Sequence, residues 1–242
     1  MRVNAGTDIG KARDTNQDYY YICEDDSIVN LCILADGMGG YNGGEIASSL
    51  AVKSAKSYIE SNFEQTVKEK ETLMELIRSA IEYANMVVYE KSKEDVELTN
   101  MGTTLEICLI YNNRVYIGHV GDSRIYRLRN EIFRKLSKDH SYVEELVKDG
   151  KITKEEAKHH PKKNMLMKAV GCSAYVEPDV MVKGFKKGDI ILITSDGLTN
   201  MISDEEIYNI IIQNKYECVR TLINVANERG GYDNITIVMI EN

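Results

Sequence analysis

The chain has 242 residues, 43% of them hydrophobic, which is enough for one large core or two small ones. Its 30 basic and 38 acidic residues give a formal charge of −8, and an acidic surface repels phosphate backbones, so nucleic acid is excluded as an expected partner. A membrane is excluded too: no apolar run nears the roughly 20 residues of a spanning helix, and Met1-Arg2-Val3-Asn4-Ala5-Gly6 lacks the apolar centre of a signal peptide.

In chain order, residues 3–9 and 19–24 read as short strands around the polar segment Gly10 to Asp18. Residues 28–35 form an apolar run that reads as a buried strand ending at Asp36-Gly37. A helix follows, with Ala47, Leu50, Ala51, Ser54 and Tyr58 on one face. The clearest helix is 72–94, where Leu73, Leu76, Ile77, Ala80, Ile81, Ala84, Val87 and Val88 keep the i, i+3, i+4, i+7 spacing. Strands are expected at 103–111, 114–120 and 123–129, with Gly121-Asp122 as a tight hairpin turn between the last two. Residues 141–149 and 153–159 read as short helices, and 158–168 as a basic, irregular stretch. Strands resume at 175–183 and 189–194. Ser203 with Glu206 is a capping box opening a helix to about Asn214. A helix over 217–228 stops at Gly230-Gly231, and a strand closes the chain from Ile235 to Ile240. This order, without regular βαβ alternation, predicts α+β architecture with antiparallel sheets.

The five cysteines, Cys23, Cys32, Cys108, Cys172 and Cys218, are odd in number and never spaced C-x-x-C. They read as reduced thiols, several of them buried, which places the chain in the cytoplasm.

Four aspartates share one local pattern. Asp36 and Asp196 each end an apolar strand before a glycine, Asp122 follows Gly121 between two strands, and Asp233 stands just before the last strand. Asp18 is a fifth candidate. Any one alone reads as a turn or cap residue. Together they are charges at buried strand ends, which is costly without a cation. All-oxygen ligands select hard ions such as Mg²⁺, Mn²⁺ or Ca²⁺, and neither His nor Cys clusters here as zinc would require. Several carboxylates suit two adjacent ions, an arrangement found in phosphoryl hydrolysis.

The sequence resembles a bacterial member of the PP2C-type (PPM) metal-dependent protein serine/threonine phosphatases. Seven motifs carry the resemblance in order: Gly10 to Asp18, Ala35 to Gly40, Met101 to Thr104, Gly118 to Arg124, Asp139-His140-Ser141, Ser195 to Leu198, and Asp233-Asn234-Ile235-Thr236. It implies a single domain over 1–242, a four-layer α-β-β-α sandwich with two central antiparallel sheets, and a flap over about 141–170. It implies that Asp36 bridges two metals, Gly37 gives one a carbonyl, Asp196 and Asp233 complete the second, and Asp18 acts through water. Asp122 and Asp196 resemble the ligands of a weaker third ion, and Arg13 resembles the arginine that grips the substrate phosphate. Two ions, Mn²⁺ or Mg²⁺, lower the pKa of a shared water, whose hydroxide attacks phosphorus in line. Arg13 presents a planar fork to two phosphate oxygens; outside its motif it would read as a surface ion pair.

His140 is a candidate proton donor to the leaving oxygen, although the family's general acid is usually assigned near the first motif, where this chain has no histidine. His119, inside an apolar run, reads as a core histidine. His160 lies at the exposed end of the flap, in His159-His160-Pro161-Lys162-Lys163-Asn164, whose basic character either meets an acidic phosphopeptide or is a solvated loop. One departure stands out: relatives commonly place Asp where this chain has Asn200, which removes a charge near the third ion. The resemblance implies phosphoserine and phosphothreonine proteins as substrates, an opposing Ser/Thr kinase and a monomer. Three other readings remain: a phosphatase dedicated to one regulator, an inactive phosphoprotein-binding module, and an unrelated two-metal nuclease. The retained aspartates argue against the second, and the charge and motif order against the third.

Overall fold

A computed structural model describes residues 1–24, 27, 29–40 and 43–242. Its strands are β1 (Arg2–Asp8), β2 (Asp18–Ile22), β3 (Asn30–Met38), β4 (Gly102–Thr103), β5 (Leu105–Tyr111), β6 (Arg114–Val120), β7 (Arg124–Arg129), β8 (Ile132–Lys135), β9 (Asp179–Gly184), β10 (Ile190–Thr194) and β11 (Ile235–Glu241). Its helices are α1 (Gly43–Phe63), α2 (Lys70–Lys91), α3 (Tyr142–Lys148), α4 (Lys154–Lys158), α5 (Asp196–Thr199), α6 (Asp204–Asn214) and α7 (Cys218–Glu228).

The strands form two antiparallel sheets. A five-stranded sheet runs β1-β11-β10-β7-β8, and a six-stranded sheet runs β2-β3-β5-β6-β9 with β4 paired to β3. Alternation along each strand divides the core into three apolar layers. In β3, Leu31, Ile33 and Ala35 face α1 and α2, while Cys32 and Leu34 face the other sheet. In β11, Ile235, Ile237 and Met239 face α6 and α7, while Val238 and Ile240 face inward. Sheets covered on both faces read as continuous apolar runs, which is why these strands are legible. The result is the expected α-β-β-α sandwich.

Four expectations are corrected. The strand expected from residue 28 begins at Asn30, residue 28 itself lying outside the described residues, and it does not stop at Asp36. It runs on through Gly37 to Met38 because β4 replaces β5 as partner there. Gly121-Asp122 is no hairpin turn: β6 and β7 belong to different sheets, and the dipeptide is the crossover between them. The β7 hairpin is formed with β8 instead, through Asn130-Glu131, both at positive φ (47° and 64°), as a tight two-residue turn requires. Finally, α1 buries Ala47, Ser48, Ala51, Val52, Ala55 and Ile59, leaving the expected Leu50, Ser54 and Tyr58 half-buried at the edge of that face.

Candidate metal centre

The five aspartates gather at one end of the sandwich, where both sheets contribute. Asp18 opens β2 directly opposite Asp36 in β3. Asp122 lies in the crossover from β6 to β7. Asp196 is in the first turn of α5, just after β10, which ends at Thr194 as expected, with Ser195 as the N-cap between them. Asp233 precedes β11.

Backbone hydrogen bonds hold this frame. The Asp36 N–H donates to Thr104 Oγ1 (2.9 Å), and its carbonyl accepts from Thr103 Oγ1 (2.8 Å) and the Thr104 N–H (2.9 Å). Thr104 Oγ1 also meets Ser123 Oγ at 2.9 Å, tying Asp36 to the segment that carries Asp122. Ser195 Oγ donates to Asp18 Oδ2 (2.8 Å) across the two sheets. Asn234 accepts from the Gln17 N–H (2.8 Å) and donates to the Ile9 and Thr15 carbonyls (2.9 and 3.0 Å), clamping the loop before β2 against Asp233. Two glycines allow the close approaches. A Cβ on Gly37 would stand 2.1 Å from the Gly44 carbonyl oxygen. Gly121 takes φ +118° with its α-carbon pressed on Thr104, where a Cβ would come within 2.5 Å of a methyl carbon.

The electrostatics are those of a crowd of like charges. Burial first, then the Asp18 carboxylate, drive Asp36 well above the ordinary carboxylate range. Burial lifts Asp18 to about 7 against the hydrogen bonds from Thr236 and Ser195. Burial and then Asp196 lift Asp122 to about 8, and burial and then Asp233 lift Asp196 to about 6. Of the charges acting on Asp122, that of Asp196 is the largest.

As posed, the carboxylates do not close around a point: among the described residues no three His, Cys, Asp or Glu side chains form a group that could hold an ion. Each of three turns an oxygen to a nearby donor. Asp233 Oδ2 accepts from Arg13 (2.8 Å), Asp196 Oδ2 from Asn200 Nδ2 (3.0 Å), and Asp18 Oδ2 from Ser195. Yet among the described residues Asp18 Oδ1 is buried with no hydrogen-bond partner, an oxygen that costs about 1–3 kcal/mol unless a proton, water or cation meets it. All-oxygen donors, an orphaned carboxylate oxygen and mutual repulsion fit a hard divalent cation. Such a cation competes with Arg13 for Asp233 and with Asn200 for Asp196.

Arg13 is half-exposed beside the cluster, its guanidinium feeling Asp233, Asp196 and Asp36. His140 is not placed as a proton donor. Its Nδ1 accepts from the Gly121 N–H (3.2 Å), its Nε2 faces Asp179 (3.4 Å), and burial and then His119 press its pKa down to about 4. A neutral ring with both nitrogens engaged braces the Gly121 crossover instead, and the backbone N–H of His140 donates to the Gly121 carbonyl at 2.7 Å. His160 accepts from the Lys162 N–H and neighbours Tyr142 within the flap, with no hydrogen bond or ion pair to the aspartates among the described residues.

Three supports lie inside the motifs but carry no expected role there: Ser195 under Asp18, Thr104 between Asp36 and Ser123, and Asn234 across three loops; the buried Glu106 lies outside the motifs. Glu106 holds His119 Nδ1 with both oxygens at 2.9 Å, while His119 Nε2 donates to the Lys138 carbonyl at 2.7 Å. Burial disfavours the imidazolium, but Glu106 outweighs it and the ring rises to about 9. Asp139 is raised by burial but held low on balance by Arg124 and Lys135. It takes both Arg124 Nε (3.0 Å) and Nη2 (2.8 Å) and fixes the chain before the flap. A carboxylate in a buried apolar strand, Glu106, was the one available signal.

A family profile described as Protein phosphatase 2C matches residues 5–230. A putative protein phosphatase 2C-type from Streptococcus pyogenes serotype M6 is 38% identical, over 100% of this chain and 98% of that protein. The structure of the S. agalactiae serine/threonine phosphatase superposes with a TM-score of 0.90 at 39% identity, covering 99% of this chain and 98% of the other. The catalytic domain of the serine threonine protein phosphatase PstP, in complex with two manganese ions, gives a TM-score of 0.85 at 33% identity, covering 98% and 96%.

Proposed function

The chain belongs to the protein phosphatase 2C family, and on that premise we propose that it hydrolyses phosphoserine and phosphothreonine esters of proteins with divalent metal. The observation that carries this is the set of mutually repelling aspartates from both sheets, Asp18 buried and the others half-buried, with Asp18 Oδ1 unpartnered among the described residues. In this reading Asp36, the Gly37 carbonyl, Asp196 and Asp233 would hold two core ions, Asp18 would act through water, and Asp122 with Asp196 would hold a weaker third. Mn²⁺ or Mg²⁺ bound there supplies an activated water near neutral pH and charge neutralisation for the phosphoryl oxygens.

The protein's own groups then do the following. Arg13 leaves Asp233 and offers its fork to the phosphate, an exchange that its half-exposed side chain permits. Ser195 and Thr104 hold Asp18 and Asp36 in place, so that little reorganisation is needed. Residues 1–242 act as one catalytic unit, with 141–170 as a flap beside the site. Its basic end, including His160, faces substrate rather than metal. A cytoplasmic monomer opposing a Ser/Thr kinase fits this reading, and among the described residues no helix is long and apolar enough to cross a membrane. The retained aspartates disfavour an inactive binding module.

The test is hydrolysis of p-nitrophenyl phosphate and of a phosphothreonine peptide. Activity is expected with Mn²⁺, none with EDTA, and a loss of at least about 10²-fold in Asp36→Asn. Turnover that survives EDTA sinks the mechanism.

A further inference from the structure

At the edge of the sandwich where β8 borders one sheet and β9 the other, an acidic protein concentrates positive charge. Arg127 and Arg134 stand directly opposite each other on β7 and β8. Like charges in that position destabilise a sheet unless an anion joins them. Ile125, on the same face of β7 as Arg127 and Arg129, packs in the layer between the sheets, so these arginines point into the cleft. The contacts agree: Arg127 Nη1 and Arg129 Nη2 donate to the Gly184 carbonyl of β9 at 3.4 and 2.9 Å. Lys183, on the same face of β9 as Met181 of the inter-sheet layer, adds a fourth cation from the opposite wall.

One of these charges is answered. Asp189 binds Arg129 through Nε (2.7 Å) and Nη2. Arg127, Arg134 and Lys183 have no ion pair among the described residues. Partial burial, with Arg129 and Arg134 nearby, holds Arg127 below its ordinary pKa, the mark of a crowded and incompletely neutralised guanidinium. Arginine forks side by side suit carboxylate or phosphoryl oxygens. Cations without ion pairs on neighbouring strands at one sandwich edge complement a run of carboxylates on a single extended segment. β7 runs from the Asp122 crossover toward this cleft, so at about 3.3 Å per residue Arg127 lies on the order of 15 Å from that crossover.

We propose that this cleft, built by Arg127, Arg134 and Lys183, docks an acidic flank of the phosphoprotein substrate, about five extended residues from the phosphorylated side chain. The inference rests on the phosphatase reading for the word substrate, but its binding step needs no turnover. Two arms keep them apart. In the first, fluorescence anisotropy follows a fluorescein-labelled, glutamate-rich peptide without phosphate, in EDTA. Binding is expected, weakening with added salt, and at least about fivefold weaker in Arg127→Glu/Arg134→Glu and in Lys183→Glu.

In the second arm, a phosphothreonine peptide with a distal glutamate run is compared with one bearing serines there. The variants are expected to raise KM for the first alone, with kcat and p-nitrophenyl phosphate hydrolysis unchanged, which also reports that they fold. Equal peptide binding by wild type and variants overturns the proposal. So does charge-dependent sedimentation with phosphatidylglycerol vesicles in the absence of peptide binding, which assigns the cleft to a membrane surface. Failure of p-nitrophenyl phosphate hydrolysis in the wild type overturns the phosphatase reading and leaves the anisotropy result standing.

Discussion

Metal should stabilise this protein more as pH rises, by an amount that the buried aspartates set. Asp18 is raised to about 7 from an ordinary value of 3.8. A folded-state pKa above the unfolded value means that the native protein holds a proton the unfolded chain releases. The associated stability is therefore complete below the unfolded pKa and is lost as pH climbs through the folded one. From about pH 5 to about pH 8, Asp18 alone removes about 2.5 kcal/mol by this linkage. Asp122 and Asp196, raised to about 8 and about 6, act in the same direction, though their coupling forbids simple addition. For a chain of this size each kcal/mol moves Tm by about 2–4 °C, so Asp18 contributes roughly 5–10 °C. His119 and His140 titrate in opposite senses, raised to about 9 and lowered to about 4, but both do so with and without metal. The readout is therefore the difference between melts in saturating Mn²⁺ and in EDTA, measured across this pH range. A cation that replaces the protons removes the penalty, so the Mn²⁺-induced rise in Tm should grow toward alkaline pH. A rise of equal size at both ends would refute the claim that these carboxylates are forced together for a cation.

The remaining predictions follow from the supporting contacts. Glu106→Ala leaves His119 buried without its partner and should cost about 3–5 kcal/mol in urea unfolding; a cost below about 1 kcal/mol would show that the pair is not maintained in solution. Gly121→Ala forces a Cβ into Thr104 at φ +118° and should lower Tm and weaken Mn²⁺ binding together; an unchanged Mn²⁺ titration would mean that the crossover does not set the site. Asn200→Asp exchanges the donor to Asp196 Oδ2 for a second carboxylate. It should lower the Tm of the EDTA-treated protein while tightening its weakest Mn²⁺ site, and an unaltered titration curve would dismiss Asn200 as a determinant.

What the sequence disclosed and what it withheld divide along one physical line. Local and periodic signals carried through: α2 is framed by the apolar spacing of Leu73 to Val88, β6 falls on Arg114–Val120, and the Ser203–Glu206 capping box opens α6. The aspartates were legible because a charge ending an apolar run is conspicuous. Sheet membership is a long-range property, and the same Gly121-Asp122 dipeptide serves a hairpin or a crossover equally well; what separates them is the Asn130-Glu131 turn, which gives β7 its true partner. The supports were less visible still. Ser195, Thr104 and Asn234 are small polar residues in or beside strands, with no periodicity to mark them, and their partners lie 177, 68 and 217 residues away. His140 shows the reverse error. A histidine beside a motif aspartate invites a proton-transfer role, but the fold spends its nitrogens on Gly121 and Asp179.

These contacts also explain why the site lies where it does. Asp18 and Asp36 belong to the six-stranded sheet, while Asp196 and Asp233 flank strands of the five-stranded one, and Asp122 lies on the only chain segment that passes directly from β6 to β7. The bonds that fix the aspartates, Ser195 to Asp18, Thr104 to Ser123 and Gln17 to Asn234, all run from one sheet or its loops to the other. Repulsion among the carboxylates pushes the two sheets apart at this end. The apolar layer between them, with Leu34, Ile117, Ile193 and Val238 fully buried, holds them together along the rest of their length at about 1.5–3 kcal/mol for each such side chain. The inter-sheet layer therefore does the work of assembling a site that its own ligands oppose. A cavity opened there, as in Ile193→Ala, acts on the metal centre without touching a ligand, because the spacing of the two sheets is the spacing of the carboxylates.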